Sequence, residues 1–150
     1  MPIYLEDFHA GDVAETPARR VSREEMVAFA REFDPQPFHV DEEAAKRSPF
    51  GGLVASGWHT ASLCMRMVVE HALASDGETG SLGSPGVDEL RWLRPVRPGD
   101  SLTVRIEVLE VVPSRSKADR GLVKLRYTMR NQDAQDVMTM VALGIMRRRP

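Results

Sequence analysis

Between Gly57 and about Ala74 the chain runs without proline, and apolar side chains fill most positions: Trp58, Ala61, Leu63, Cys64, Met65, Val68, Val69, Ala72 and Leu73. The polar residues His59, Ser62, Arg66 and Glu70 recur every three or four positions and fall on one stripe of a helix. A helix apolar over so much of its circumference is expected to be largely buried. Ser56 is a good N-cap for it, and Arg66 with Glu70 forms an i,i+4 pair worth a few tenths of a kcal/mol. The rest of the chain must therefore supply a cover.

That cover reads as strands. Leu90 and Trp92 alternate with Glu89 and Arg91, and Pro95 to Asp100 makes a turn. Leu102, Val104, Ile106 and Val108 alternate with Ser101, Thr103, Arg105 and Glu107, the period-2 signature of a half-buried strand. After a polar, basic connection over Pro113 to Arg120, Val123, Leu125, Tyr127 and Met129 alternate in the same way. Asn131 to Asp136 turns the chain into Val137 to Met146, apolar on both sides and expected inside the sheet. Short connections between long strands predict an antiparallel meander. The fold class is α+β, an antiparallel sheet packed on one long helix, and 150 residues fit one domain spanning 1–150.

The first half is helical. Ser22-Arg23-Glu24-Glu25 reads as a capping box, with Val21 and Met26 placed for a hydrophobic staple. Met26, Phe29, Ala30 and Phe33 give one apolar face, and the helix should stop near Asp34 because Pro35 disfavours α geometry before it. Asp34-Pro35-Gln36-Pro37-Phe38-His39 is expected to be non-helical, since its prolines lack N–H donors. Asp41 caps a short helix over Glu42 to Arg47, Ser48 to Gly52 is a loop, and Ser75 to Gly86 is a second loop.

Composition narrows the function. Twenty Lys and Arg against 22 Asp and Glu leave a net charge of −2, which argues against nucleic acid as the partner. A single cysteine, Cys64, excludes an intramolecular disulfide and a multi-cysteine zinc site, and is expected to be core. His9, His59 and His71 lack metal-ligand spacing. No run has the length of a membrane span, and the acidic start Tyr4-Leu5-Glu6-Asp7 does not resemble a signal peptide, so a cytoplasmic protein is expected.

Two places hold chemical information. Asp34 and His39 lie five positions apart in a proline-stiffened segment, where a carboxylate and an imidazole can hold and polarise one water. Their ordinary reading is a helix-terminal Asp accepting backbone N–H groups and a surface His. Ser56-Gly57 opens the long helix, whose N-terminus offers free N–H groups to an oxygen gaining negative charge. Gly57 has no side chain to bar a carbonyl from its N–H, although Ser56 as a plain cap and Gly57 as a close-packing residue is equally consistent. Arg115, Lys117 and Arg120 are candidates for phosphate contacts or simply a solvated loop.

Phe33 to Asp41, then Phe50-Gly51-Gly52-Leu53-Val54-Ala55-Ser56-Gly57, resembles the MaoC-like dehydratases, which include the (R)-specific enoyl-CoA hydratases. The likeness extends to Phe8–Gly11 and to Glu89–Asp100. It implies a hot-dog fold, in which an antiparallel sheet wraps a long helix, and a homodimer or dimer of dimers. It also implies hydration of an enoyl thioester, coenzyme A being the expected carrier, with no cofactor and no metal. The family's Asp and His fall on Asp34 and His39, which would hold the water, and its oxyanion glycine falls on Gly57. Ser56, Phe38, Phe50 and Trp58 would line the substrate site. Gln36 stands where the family has Asn, and Ser56-Gly57-Trp58 where His-Gly-Met is usual, so a bulky Trp58 is expected to shorten or redirect the acyl pocket. Thioester hydrolysis and non-catalytic acyl-thioester binding remain alternatives, because one fold hosts several chemistries.

Overall fold

The computed structural model describes residues 2–74 and 78–150. Four helices, α1 (Arg23–Phe33), α2 (Pro37–Val40), α3 (Glu42–Lys46) and α4 (Gly57–Leu73), precede most of the sheet. Its strands are β1 (Val13–Glu15), β2 (Arg19–Arg20), β3 (Gly86–Trp92), β4 (Ser101–Pro113), β5 (Arg120–Arg130) and β6 (Asp136–Arg147). The order is β1-β4-β5-β6-β3 with β2 also on β4, and every pairing is antiparallel. The expected meander is β4-β5-β6, and β6 lies inside the sheet as its two-sided apolar pattern predicts.

The core forms where α4 crosses the sheet. Leu63, Cys64 and Met67 of α4 pack with Leu102 and Val104 of β4, Tyr127 and Met129 of β5, and Met138, Met140 and Ala142 of β6. Strand residues two apart share a face, so the alternation seen in the sequence supplies this surface. Burial raises the Cys64 thiol pKa to about 12, so it sits in the core as a neutral, unreactive group.

Four expectations need correction. First, α4 is buried on one side only: Trp58, Met65 and Val69 are 58%, 43% and 41% exposed. A single sheet covers a single face of a helix, and the opposite apolar face has no full cover among the described residues. Second, His59 leaves the polar stripe, is buried, and stacks on Phe29 of α1 with ring centroids 4.9 Å apart. Third, Pro37 starts a helical turn instead of forbidding one, because proline at the first helical position lacks only an N–H that would be unpaired anyway. Fourth, the capping box is half made: Ser22 accepts the Glu25 N–H at 3.2 Å, but the Glu25 carboxylate turns to Arg19 at 3.4 Å. Of the predicted loop from Ser75 to Gly86, residues 75–77 lie outside the described residues, while Gly86 opens β3.

Candidate active site

The end of α1, the turn α2 and the start of α4 meet around Asp34. Asp34 is the C-cap of α1, and its N–H closes that helix on the Ala30 carbonyl at 2.8 Å. Its carboxylate accepts side-chain donors: Gln36 Nε2 to Oδ1 at 2.8 Å and Ser56 Oγ to Oδ2 at 2.7 Å. These bonds to Gln36 and Ser56, helped by His39 and opposed by burial, hold the Asp34 carboxyl below its ordinary pKa.

His39, only 6% exposed, is no surface histidine. Its Nδ1 lies 2.8 Å from the Val54 carbonyl. A carbonyl only accepts, so Nδ1 carries a proton, and in the neutral form of the ring Nε2 is the bare nitrogen. That Nε2 faces Asp34 Oδ2 at 3.3 Å. In the neutral state neither atom has a proton to give, so the two acceptors together suit one donor that approaches both from the side. Phe38 packs edge-on against the imidazole, centroids 4.5 Å apart, and Phe50 braces Phe38 at 5.3 Å. Arg97 fixes that loop by donating to the Phe50 carbonyl at 2.7 Å. Phe50 thus stands one ring behind His39.

Ser56 joins the parts. Fully buried, it donates to Asp34 and accepts the Trp58 N–H at 3.2 Å, so its hydroxyl is committed to protein on both sides. The Asp34 carboxylate is thereby tied to the residue just before Gly57, at the positive end of a 17-residue helix. Trp58 lies outside this cluster, its ring edge-on to Trp92 at 5.1 Å. An apolar groove of about 590 Å³ begins at Met65 and includes neither Asp34 nor His39. Met65 lies eight positions after Gly57, roughly 12 Å along the helix axis.

Several expected or possible contributors stand apart. His59 faces α1, with burial the main cause of its lowered pKa. Arg120 pairs with its neighbour Asp119, and Arg148 and Arg149 pair with Glu6 and Asp7. No group of His, Cys, Asp and Glu suited to a metal occurs among the described residues. Nor is any helix among them long and apolar enough to cross a membrane. The sequence reading passed over two contributors. Gln36, noted only as a departure, donates to Asp34; its amide two residues on was the available signal. Trp92 packs against Gly57, a contact across 35 positions that no local pattern announces.

Ser56→Ala should expose the electrostatic linkage. Asp34 has a lowered folded pKa, so its ionisation contributes stability above the ordinary carboxylate range, and this is lost as pH falls through the lowered value. Without the Ser56 hydroxyl that pKa rises. Urea unfolding should show a loss of about 1–3 kcal/mol near neutral pH, shrinking once Asp34 is protonated in both states. An equal loss at both pH values would contradict the linkage.

The profile of the family described as the MaoC-like domain matches residues 7–130. The crystal structure of a MaoC-like dehydratase from Rhodospirillum rubrum is 44% identical, covers 99% of both chains and superposes with a TM-score of 0.89. The 3-hydroxybutyryl-CoA dehydratase of Methylorubrum extorquens is 32% identical over 121 residues, 77% of this chain and 70% of that protein. An unliganded (R)-hydratase from Pseudomonas aeruginosa is 27% identical, with a TM-score of 0.73 over 99% of this chain and 88% of that one. With its six-stranded antiparallel sheet packed on α4 as a hot-dog fold, the chain belongs to the MaoC-like domain family.

Proposed function

We propose that this chain reversibly hydrates a trans-2-enoyl thioester, carried on coenzyme A, to the 3-hydroxyacyl thioester. The observation that carries the reading is His39 Nε2 facing the Asp34 carboxylate at 3.3 Å, with Ser56 linking Asp34 to the start of α4. The dehydratase and the (R)-hydratase among its relatives support the same reaction class.

In this mechanism the thioester oxygen accepts the Gly57 N–H, which draws electrons from the double bond and makes the β-carbon electrophilic. A water donates toward His39 Nε2 and Asp34 and adds its oxygen to that carbon. Its proton passes to Nε2, and the π electrons move onto the thioester as an enolate held at Gly57. The enolate then takes the proton from Nε2 at the α-carbon, so water is added overall and the imidazole is restored. Asp34, held ionised by Gln36 and Ser56, stabilises the transient imidazolium. The two donors already on the Asp34 carboxylate make His39 the better base. No covalent intermediate is required, in keeping with a core Cys64.

Crotonyl-CoA added to the purified protein should lose its conjugated-thioester absorbance without releasing thiol. Thiol release would favour hydrolysis instead, and binding without turnover would make the chain a binding subunit.

The active unit is a homodimer in this reading. Met65 and Val69 on the uncovered face of α4 adjoin Val87, 46% exposed on β3, the strand at one end of the sheet order. An open strand edge beside an apolar surface suits a second copy of the same two elements. Sedimentation should give twice the chain mass, and Met65→Glu with Val69→Glu should give the monomer. A monomeric wild type would refute the assembly.

A further inference from the structure

Trp92 touches the one backbone position on which the proposed oxyanion contact depends. A Cβ built on Gly57 would lie 2.5 Å from Cε2, 2.6 Å from Cδ2 and 2.9 Å from Cζ2 of the Trp92 indole. The indole therefore occupies the space that a side chain at 57 would need. Trp58 meets the same ring edge-on, with the two planes at 80°.

The strand is distorted in a way that brings Trp92 there. Asp88 pairs with Val141 and Arg91 with Thr139, so β3 spends one more residue than β6 between these pairs. Glu89, inside this bulge, has φ +53°, a conformation that residues with a side chain rarely adopt. In an unbroken strand, residues of opposite parity face opposite sides of the sheet. Here Val87 lines the groove beside α4, while Leu90 packs on the core that contains α4 and Trp92 sits on Gly57. The extra residue puts odd positions before it and even positions after it on the same side. Bulges beside active sites commonly re-aim a side chain in this manner.

We propose that Trp92, delivered by the Glu89 bulge and braced by Trp58, is a positioning residue for the Gly57 N–H. It holds the first turn of α4 at one depth, so the N–H meets the thioester oxygen, and it keeps water from that side of the glycine. This rests on the hydratase reading for its catalytic consequence, but the contact itself can be tested without turnover.

The experiment is a double-mutant cycle of Gly57→Ala and Trp92→Ala, with Trp92→Phe as a milder variant. It is read by crotonyl-CoA turnover and by calorimetric affinity for butyryl-CoA, which is saturated and cannot be hydrated. Trp92→Ala should lower kcat by about 10- to 100-fold, the scale of a small misplacement, with KM changing less, and Trp92→Phe should recover part of the loss. Gly57→Ala should be costly beside Trp92 and mild in the Trp92→Ala background, where the new methyl has room. Trp58 and Trp92 are the chain's two tryptophans, so their intrinsic emission reports thioester binding at this spot.

Additive effects of the two substitutions on both affinity and turnover would overturn the positioning role. Where the alanine variants do not fold, unchanged kcat in Trp92→Phe together with unaltered emission on butyryl-CoA binding would overturn it as well. A wild type that binds butyryl-CoA but does not hydrate crotonyl-CoA would sink the hydratase reading alone, leaving the affinity cycle to decide the role of Trp92.

Discussion

His39→Asn should lower kcat for crotonyl-CoA hydration by about 10²–10⁴-fold, the range that general acid–base groups supply, which is roughly 3–5 kcal/mol of barrier. Asparagine is the informative replacement because its amide can still donate to the Val54 carbonyl, where Nδ1 now sits at 2.8 Å. The local fold is kept and only the bare Nε2 is removed. Asp34→Asn should be at least as damaging, for two reasons. It deletes the charge that faces Nε2 at 3.3 Å, and it turns an NH₂ toward that nitrogen if its carbonyl oxygen takes the Gln36 bond. An amide donating directly to Nε2 would occupy the atom that must take the proton from water. Steady-state kinetics of both variants, with circular dichroism to verify folding, decides the matter. Turnover indistinguishable from wild type in either one would remove the pair from the mechanism.

Gly57→Ala should cost about 10²–10³-fold in kcat, the loss seen when one oxyanion donor is removed. Helix propensity alone predicts the opposite sign for stability, since alanine is better than glycine by about 1 kcal/mol within a helix. The position at the very start of α4 weakens that gain, and the Trp92 ring reverses it. With indole carbons 2.5–2.9 Å from the new methyl, either the ring swings out or the helix start backs away. Overpacking of this kind costs about 1–3 kcal/mol, and a displaced N–H no longer meets the oxygen. A Gly57→Ala protein that is more stable and fully active would show that neither the contact nor the N–H matters as described.

The sequence exposed the layout through periodicity. Alternation along Leu102–Val108 and Val123–Met129 marked the strands that carry the core, and the Ser22 cap with Pro35 bounded α1 to within a residue. Asp34, His39 and Ser56-Gly57 were legible because caps and prolines reveal where helices begin and end, and helix ends are where these groups sit. What stayed hidden depended on contacts far apart in sequence. The Ser56–Asp34 bond spans 22 positions and the His39–Val54 bond spans 15, so neither carries a local pattern. Leu90 and Trp92 share a face, as their alternation with Glu89 and Arg91 predicts, but that Trp92 meets Gly57 is a contact across 35 positions that no local pattern announces. The α4 pattern predicted a largely buried helix, whereas the described residues cover one side of it, and His59 was misplaced because stripe arithmetic does not register that α1 packs across it.

Water enriched in a heavy oxygen isotope follows the proposed chemistry at the atom that moves. Crotonyl-CoA incubated in it with the wild-type chain should yield 3-hydroxybutyryl-CoA with the label on the β-hydroxyl and the thioester intact, and His39→Asn should abolish that incorporation. Label appearing in a carboxylate with free thiol, or no label in any product, would contradict hydration at the Asp34–His39 pair.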